Sequence, residues 1–198
     1  MSNGNLSANV GGLVPNEHLC TPCSGSGFFS KAECERIVTL SEDRPFMDGT
    51  VGTSSAKQVK PGVRKTDIKR LLRTPETSWI YEKLWTTIVS VNGHYGYDIS
   101  GIETLQIGRY ADGGFYDWHI DLGGARASLR KLSVTVQLSD GSAYKGGDLE
   151  FKDFADFKAD REIGSTIIFP SFLLHRVTPV MEGERWSMVA WVIGRPFR

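Results

Sequence analysis

Residues 130–138, RKLSVTVQL, carry the clearest period in this chain. Apolar side chains at positions 132, 134, 136 and 138 alternate with polar ones, which is the pattern of a β-strand with one buried face. Shorter stretches of similar character are separated by turns that contain Gly or Pro; they lie at 102–110, 114–120, 147–151, 165–170, 173–178 and 185–193. Many short strands predict a mainly β fold, a sandwich or a jelly roll.

Upstream of the strands, the chain opens with a segment rich in Gly, Ser and Asn. Residues 1–27 show little periodicity and are expected to form a poorly ordered or surface-laid arm. A helix is predicted over 31–42, because Ser30 and Glu33 form a capping box. At 198 residues the chain fits one domain, which we place at 28–198.

A second helix is predicted from Thr74 as N-cap and Pro75 as first residue, with its end at Gly93. Between the two helices, residues 43–69 are polar and lack a clear period. They are expected to form a loop with one edge strand, and loops of this length are often functional.

The composition excludes several classes of function. Lys and Arg number 23 and so do Asp and Glu, so that no overall field would hold a nucleic acid or an anionic membrane surface. No apolar run is long enough to span a bilayer, and the N-terminus shows no secretory pattern, so a cytoplasmic location is expected. Three cysteines predict free thiols; Cys20 and Cys23 form a CxxC pair whose role stays open.

One small set of residues points to chemistry. His119 and Asp121 are separated by one residue, so on a strand both would point to the same face, and an antiparallel fold can bring His175 to them. Two imidazoles and one carboxylate form the ligand set of non-heme Fe(II) oxygenases. Arg185 and Ser187 share a face of a later strand, where a guanidinium suits the distal carboxylate of a dicarboxylate cosubstrate.

Several spaced motifs then resemble one family. Residues 110–121, YADGGFYDWHID, are similar to the Y-x2-G-x2-Y-x2-H-x-D motif of the prolyl 4-hydroxylase-like Fe(II)/2-oxoglutarate dioxygenases. The stretches 130–138, 144–151 and 164–187 resemble the PKHD-type bacterial hydroxylases in the same order. The resemblance covers residues 100–195 densely and the first helix weakly.

The resemblance implies a double-stranded β-helix, or jelly roll, with N-terminal helices packed on one sheet. It implies Fe(II), 2-oxoglutarate and O2 as cofactor and cosubstrates. His119, Asp121 and His175 would bind the iron, whereas Arg185 and Tyr110 would hold the distal carboxylate of 2-oxoglutarate. Ser187 is a further candidate for that carboxylate.

The function expected is hydroxylation of an aliphatic C–H on an amino acid, an amino-acid-derived metabolite or a peptidyl side chain. Two alternatives remain open: a nucleic-acid demethylase of the same superfamily, and a noncatalytic metal-binding jelly roll. The demethylase resembles this chain less, because Trp191 stands where that group has a second arginine. The partner expected is therefore a small-molecule or peptidyl substrate, without nucleic acid or membrane; the oligomeric state stays open.

Three residues are candidates for substrate contact. Trp118 precedes the first histidine of the triad and is expected near the metal. Arg64 and Lys65 belong to the basic loop 43–69, which is expected to close over the iron and to favour a substrate that bears a carboxylate.

Overall fold

The computed structural model describes residues 20–48, 50–51, 58–59 and 62–197. Its two α-helices are α1 (Lys31–Glu42) and α2 (Ser78–Tyr95), and two short 3-10 helices lie at Ala125–Leu129 and Gly141–Ala143. The strands of these ranges are β1 (Cys23–Gly25), β2 (Met47–Asp48), β3 (Thr50–Val51), β4 (Gln58–Val59), β5 (Arg64–Lys65), β6 (Asp67–Leu71), β7 (Ile99–Ile102), β8 (Leu105–Tyr110), β9 (Phe115–His119), β10 (Arg130–Gln137), β11 (Tyr144–Gly146), β12 (Leu149–Phe151), β13 (Thr166–Pro170), β14 (His175–Val177), β15 (Val180–Gly183) and β16 (Arg185–Gly194).

The strands form two facing sheets of antiparallel pairs. The larger sheet has the order β1-β13-β10-β16-β8-β6-β2, with β7 paired to β16 off that path. The smaller sheet has the order β12-β14-β9-β5, while β11 pairs with β15 and β3 with β4. This is the jelly roll that the alternating pattern predicts.

The two faces of the larger sheet bury two separate hydrophobic clusters. One face packs against both helices, and its buried cluster includes Ile37, Ile80, Leu84, Leu105 and Val134. The other face encloses a second cluster between the sheets, with aromatic side chains prominent in it. The helices therefore cover one face of the sheet, and the second face is left to form the interior of the jelly roll.

The first helix follows its capping pattern. The Ser30 hydroxyl accepts from the Glu33 N–H at 3.2 Å, and the Glu33 carboxylate accepts from the Ser30 N–H at 2.7 Å. The predicted bounds 31–42 are confirmed.

The second helix differs from its prediction at both ends. It begins after Thr77, because Thr74 and Pro75 form the turn before it, in which the Thr77 hydroxyl accepts from the Thr74 N–H at 2.8 Å. It continues through Gly93 because buried Tyr95 anchors the last turn by donating to the Ile168 carbonyl at 2.9 Å. Gly96 then ends it in the left-handed conformation.

Two other segments also differ from expectation. Within the predicted arm, Cys23–Gly25 form an edge strand on β13, whereas residues 1–19 lie outside the described residues. The predicted loop 43–69 contains short strands and the start of β6, which pairs with β8 inside the larger sheet. The sequence of β6 shows no alternation of apolar and polar residues, because one of its buried positions is occupied by Lys69. The Nζ of Lys69 donates to the Glu42 carbonyl at 3.2 Å.

Candidate active site

The two histidines of the proposed triad lie side by side on the smaller sheet. His119 on β9 and His175 on β14 are direct partners in the antiparallel pair. Asp121 follows β9 in a turn fixed by two backbone bonds, in which the N–H groups of Asp121 and Leu122 each donate to the Ser171 carbonyl at 2.9 Å. One ligand atom from each member of the triad lies within 4.8 Å of the others.

Hydrogen bonds fix the direction of each triad side chain. The Nδ1 atoms of His119 and His175 lie 2.8 Å from the carbonyls of Asp117 and Leu173, respectively. A carbonyl oxygen can only accept a hydrogen bond, so Nδ1 is the donor in each ring. The lone pair of Nε2 then remains available to a metal. Those Nε2 atoms face the Asp121 carboxylate at 3.9 and 3.7 Å.

The charge states of the triad suit a divalent metal. Burial, and then the neighbouring His175, lowers the pKa of His119 to about 4, so that this imidazole is neutral at pH 7. Burial alone would raise the pKa of Asp121, but the two imidazoles and a 2.6 Å bond from the Ser133 hydroxyl hold it below the usual range. Neutral imidazole and ionised carboxylate are the forms that bind metal. The donor set therefore fits Fe(II).

A buried arginine lies in the same cavity as the triad. The cavity measures about 270 Å³, and Tyr110, Arg185 and Ser187 line it together with the triad. Arg185 is 3% exposed and donates to the Ser187 hydroxyl at 3.3 Å, and Tyr110 is its direct partner on β8. No carboxylate within the described ranges pairs with Arg185. A buried guanidinium of this kind suits an anionic ligand.

Comparison with known proteins identifies the family. Residues 105–193 match the model of the 2OG-Fe(II) oxygenase superfamily. A PKHD-type hydroxylase of Teredinibacter turnerae is 33% identical over 176 residues, which are 82% of this chain and 74% of that protein. The chain belongs to the PKHD-type hydroxylases. A second member, from Gloeothece citriformis, is 30% identical over 81% of this chain and 73% of its own length.

Solved structures share the fold of this PKHD-type chain. The viral collagen prolyl hydroxylase of Paramecium Bursaria Chlorella virus-1, in its 2OG complex, gives a TM-score of 0.68 at 19% identity, over 93% of this chain and all of that one. A Trichoplax adhaerens prolyl hydroxylase in complex with a hypoxia inducible factor peptide fragment gives 0.70 at 18% identity, over 87% and 83% of the two chains. Both support the jelly roll.

Membership in this family establishes the cofactors. The enzyme is an oxidoreductase that uses Fe(II), 2-oxoglutarate and O2, and the triad described above fits the iron. Neither helix in the described part of the chain combines the length and apolar content that a membrane crossing requires.

Of the three candidates for substrate contact, the structure brings only Arg64 to the cavity. Arg64 is 7% exposed, and its guanidinium lies 4.5 Å from the centre of the Tyr116 ring. That ring stacks on His119 with 3.4 Å between ring centres. Lys65 faces away from Arg64, because neighbouring residues on a strand face opposite sides. It is exposed, and its Nζ donates to the Asp112 carbonyl. It does not line the cavity.

Trp118 also faces away from the cavity, contrary to expectation. Its ring lies under the guanidinium of Arg176 at 4.6 Å, on the outer face of the smaller sheet. The reason is its position next to His119, because neighbouring residues on a strand face opposite sides. β9 also contains an extra residue, since His119 pairs with His175 but Tyr116 pairs with Val177, and this bulge brings Tyr116 to the same side as His119. Residues 49, 52–57 and 60–61 of the loop 43–69 lie outside the described residues.

Sequence reasoning missed several polar residues of the cavity wall. Glu103 and Arg130 form a two-bond ion pair at 3.1 and 3.0 Å, and Arg130 also donates to the Asp121 carbonyl at 3.1 Å. Gln106 and Arg70 complete the polar wall. The alternation along β8 could have identified Gln106, because it lies four residues before Tyr110 and therefore faces the same side of the sheet.

Proposed function

We propose that this PKHD-type hydroxylase converts an aliphatic C–H of an amino acid, an amino-acid-derived metabolite or a peptidyl side chain to C–OH. Fe(II), when bound, would activate O2, which takes two electrons from the substrate C–H and two from 2-oxoglutarate. One oxygen atom enters the new C–OH and the other enters succinate, which leaves together with CO2. The single observation that carries the proposal is the presence of the triad and the buried Arg185 in one cavity.

In this proposal the triad has a defined charge. As metal ligands, the two imidazoles would bind uncharged and Asp121 would contribute one negative charge, so that a bound Fe(II) would retain a positive charge. A metal held by three protein ligands would keep further positions open for the cosubstrate and O2. Backbone carbonyls behind each imidazole keep the ligating nitrogens pointed at the metal.

Arg185 is assigned to the distal carboxylate of 2-oxoglutarate. Its guanidinium offers several N–H donors, and the hydroxyls of Tyr110 and Ser187 lie on the same face. Burial removes water that would compete for these donors, which strengthens the contact with the anion. Among the candidates for substrate contact, Arg64 remains in the proposal, while Lys65 and Trp118 do not.

The decisive experiment separates metal binding from turnover. Asp121→Ala removes the only anionic ligand, so we expect Fe(II) affinity to fall by more than the roughly 10–100-fold that loss of an outer partner costs. Succinate release should disappear with it, and His119→Ala and His175→Ala should behave alike. His94→Ala, an exposed histidine at the end of α2, should match the wild type. Wild-type affinity and turnover in Asp121→Ala would contradict the triad.

The substrate class requires a panel. Free amino acids, peptides and a methylated oligonucleotide are compared for stimulated succinate release, with mass detection of one added oxygen. We expect stimulation by amino acids or peptides, because the net charge of zero does not favour a polyanion. Demethylation of the oligonucleotide alone would support the alternative function. A cytoplasmic location remains part of this proposal.

A further inference from the structure

Two polar side chains on the cavity wall have no assigned role. Arg70 on β6 and Gln106 on β8 are direct partners across the sheet, so both face the same side. Both line the cavity that contains the triad. Gln106 is 5% exposed, whereas Arg70 is exposed.

Neither side chain is used by the protein itself. Within the part of the chain that the structure describes, the Gln106 amide makes no hydrogen bond and Arg70 makes neither a hydrogen bond nor an ion pair. Two charged groups of the same wall do have partners within the protein: Glu103 pairs with Arg130, and Asp121 accepts from Ser133. The polar atoms of the Gln106 amide are accessible from the cavity, so they can donate to or accept from a bound ligand.

The position of this pair separates it from the cosubstrate. Gln106 precedes Tyr110 by four residues on β8, which at the rise of a strand corresponds to roughly 13 Å. One 2-oxoglutarate molecule, whose distal carboxylate lies by Tyr110 and Arg185, is too short to occupy both places. Gly108 lies between them and carries no side chain to divide the cavity.

We propose that Gln106 and Arg70 form a subsite for a carboxylate of the hydroxylated substrate. The amide N–H donates to one oxygen and the guanidinium to the other, and one cation balances one negative charge. The inference rests on the proposed function, because it names the substrate class of that cavity. It also moves the recognition of a carboxylate from Lys65 on β5 to the wall formed by β6 and β8.

The test uses a small carboxylate as probe. The full-length protein is loaded with Mn(II) and N-oxalylglycine, which fills the cosubstrate site, and the relaxation of propionate protons by Mn(II) is measured by NMR. We expect saturable enhancement for propionate and about tenfold weaker binding for propionamide, because the amide lacks the charge. Equal behaviour of propionate and propionamide would overturn the proposal.

Variants assign the effect to the pair. Gln106→Glu keeps the shape but places a negative charge at the subsite, and Arg70→Ala removes the cation, so each should weaken propionate binding by about tenfold. Arg73→Ala is the matched control, since Arg73 lies three residues away and pairs with Glu82 outside this cavity. Unchanged binding in Arg70→Ala, which is exposed and should fold, would also refute the subsite.

Two further measurements complete the design. Propionate is compared with a capped tripeptide whose only carboxylate is a glutamate side chain, which separates a free acid from a peptidyl one; binding of either supports the subsite. Binding of 2-oxoglutarate to the Mn(II)-loaded wild type is measured in parallel. A wild type that binds no 2-oxoglutarate would contradict the proposed function, whereas a wild type that binds it but does not distinguish propionate from propionamide would contradict the subsite alone.

Discussion

Arg185 allows the sharpest prediction about the cosubstrate. Replacing it with alanine removes a buried guanidinium for which the structure provides no carboxylate partner in the described ranges. A hydrogen bond to a charged group contributes about 1.5–3 kcal/mol, and each 1.4 kcal/mol corresponds to a factor of ten. The KM for 2-oxoglutarate should therefore rise by about 10- to 150-fold. Arg185→Lys keeps the charge but loses the planar guanidinium, so the 2-oxoglutarate KM of this variant should lie between those of the wild type and Arg185→Ala.

The assay is steady-state kinetics, and a neighbouring arginine on the smaller sheet provides the control. Succinate release is measured against 2-oxoglutarate concentration, and Mn(II) affinity is measured separately and should not change. Arg176→Ala is the matched control: Arg176 follows His175 directly but faces the outside of the sheet, where it pairs with Glu150 at 2.7 Å. An unchanged KM in Arg185→Ala, or an equal rise in Arg176→Ala, would refute the assignment of Arg185.

Three further outcomes test the packing around the site. Gly147→Ala should lower the free energy of unfolding by about 1–2 kcal/mol in chemical denaturation, because φ is +65° there. It should also raise the 2-oxoglutarate KM, since the new Cβ would lie 2.9 Å from Cδ of Arg185. Glu33→Gln should lower the free energy of unfolding by about 0.5–1 kcal/mol at neutral pH, through loss of the Lys83 ion pair. Partial burial would raise the pKa of Glu33, but the Lys83 contact lowers it below the usual value. The difference in the free energy of unfolding between Glu33→Gln and the wild type should therefore vanish as pH falls through that pKa. Cys34 should resist thiol reagents at pH 8 until the protein is unfolded, because burial raises its pKa to about 11.

Features encoded locally were predictable from the sequence. The alternation in residues 130–138 is confirmed as β10, and the capping box at Ser30 is confirmed at α1. The triad and Arg185 were candidates from residue type and spacing, their roles came from the family resemblance, and the fold brings them to one cavity. Each of these inferences needed only neighbours within a strand or turn, plus antiparallel pairing.

Features that depend on long-range packing were not predictable. Tyr116 faces the same side as His119 because of a bulge, and the bulge appears only in the pairing of β9 with β14. β6 contains Lys69 and Arg70, which look like loop residues until Lys69 is seen to reach the Glu42 carbonyl. The start of α2 depends on Thr77 rather than Thr74, although both are good N-cap residues.

The polar wall shows why a site of this kind needs a structure. In sequence, Gln106 and Glu103 look equivalent, since both are polar residues within the strand predicted at 102–110. In the fold Glu103 is held by two bonds from Arg130, so replacing it would disturb the Asp121 carbonyl that Arg130 also binds. Gln106 is held by no hydrogen bond within the described residues, so its amide remains available to a ligand. Substitutions at Gln106 and Arg70 should therefore test the proposed subsite without altering the metal ligands or the hydrogen bonds that hold them.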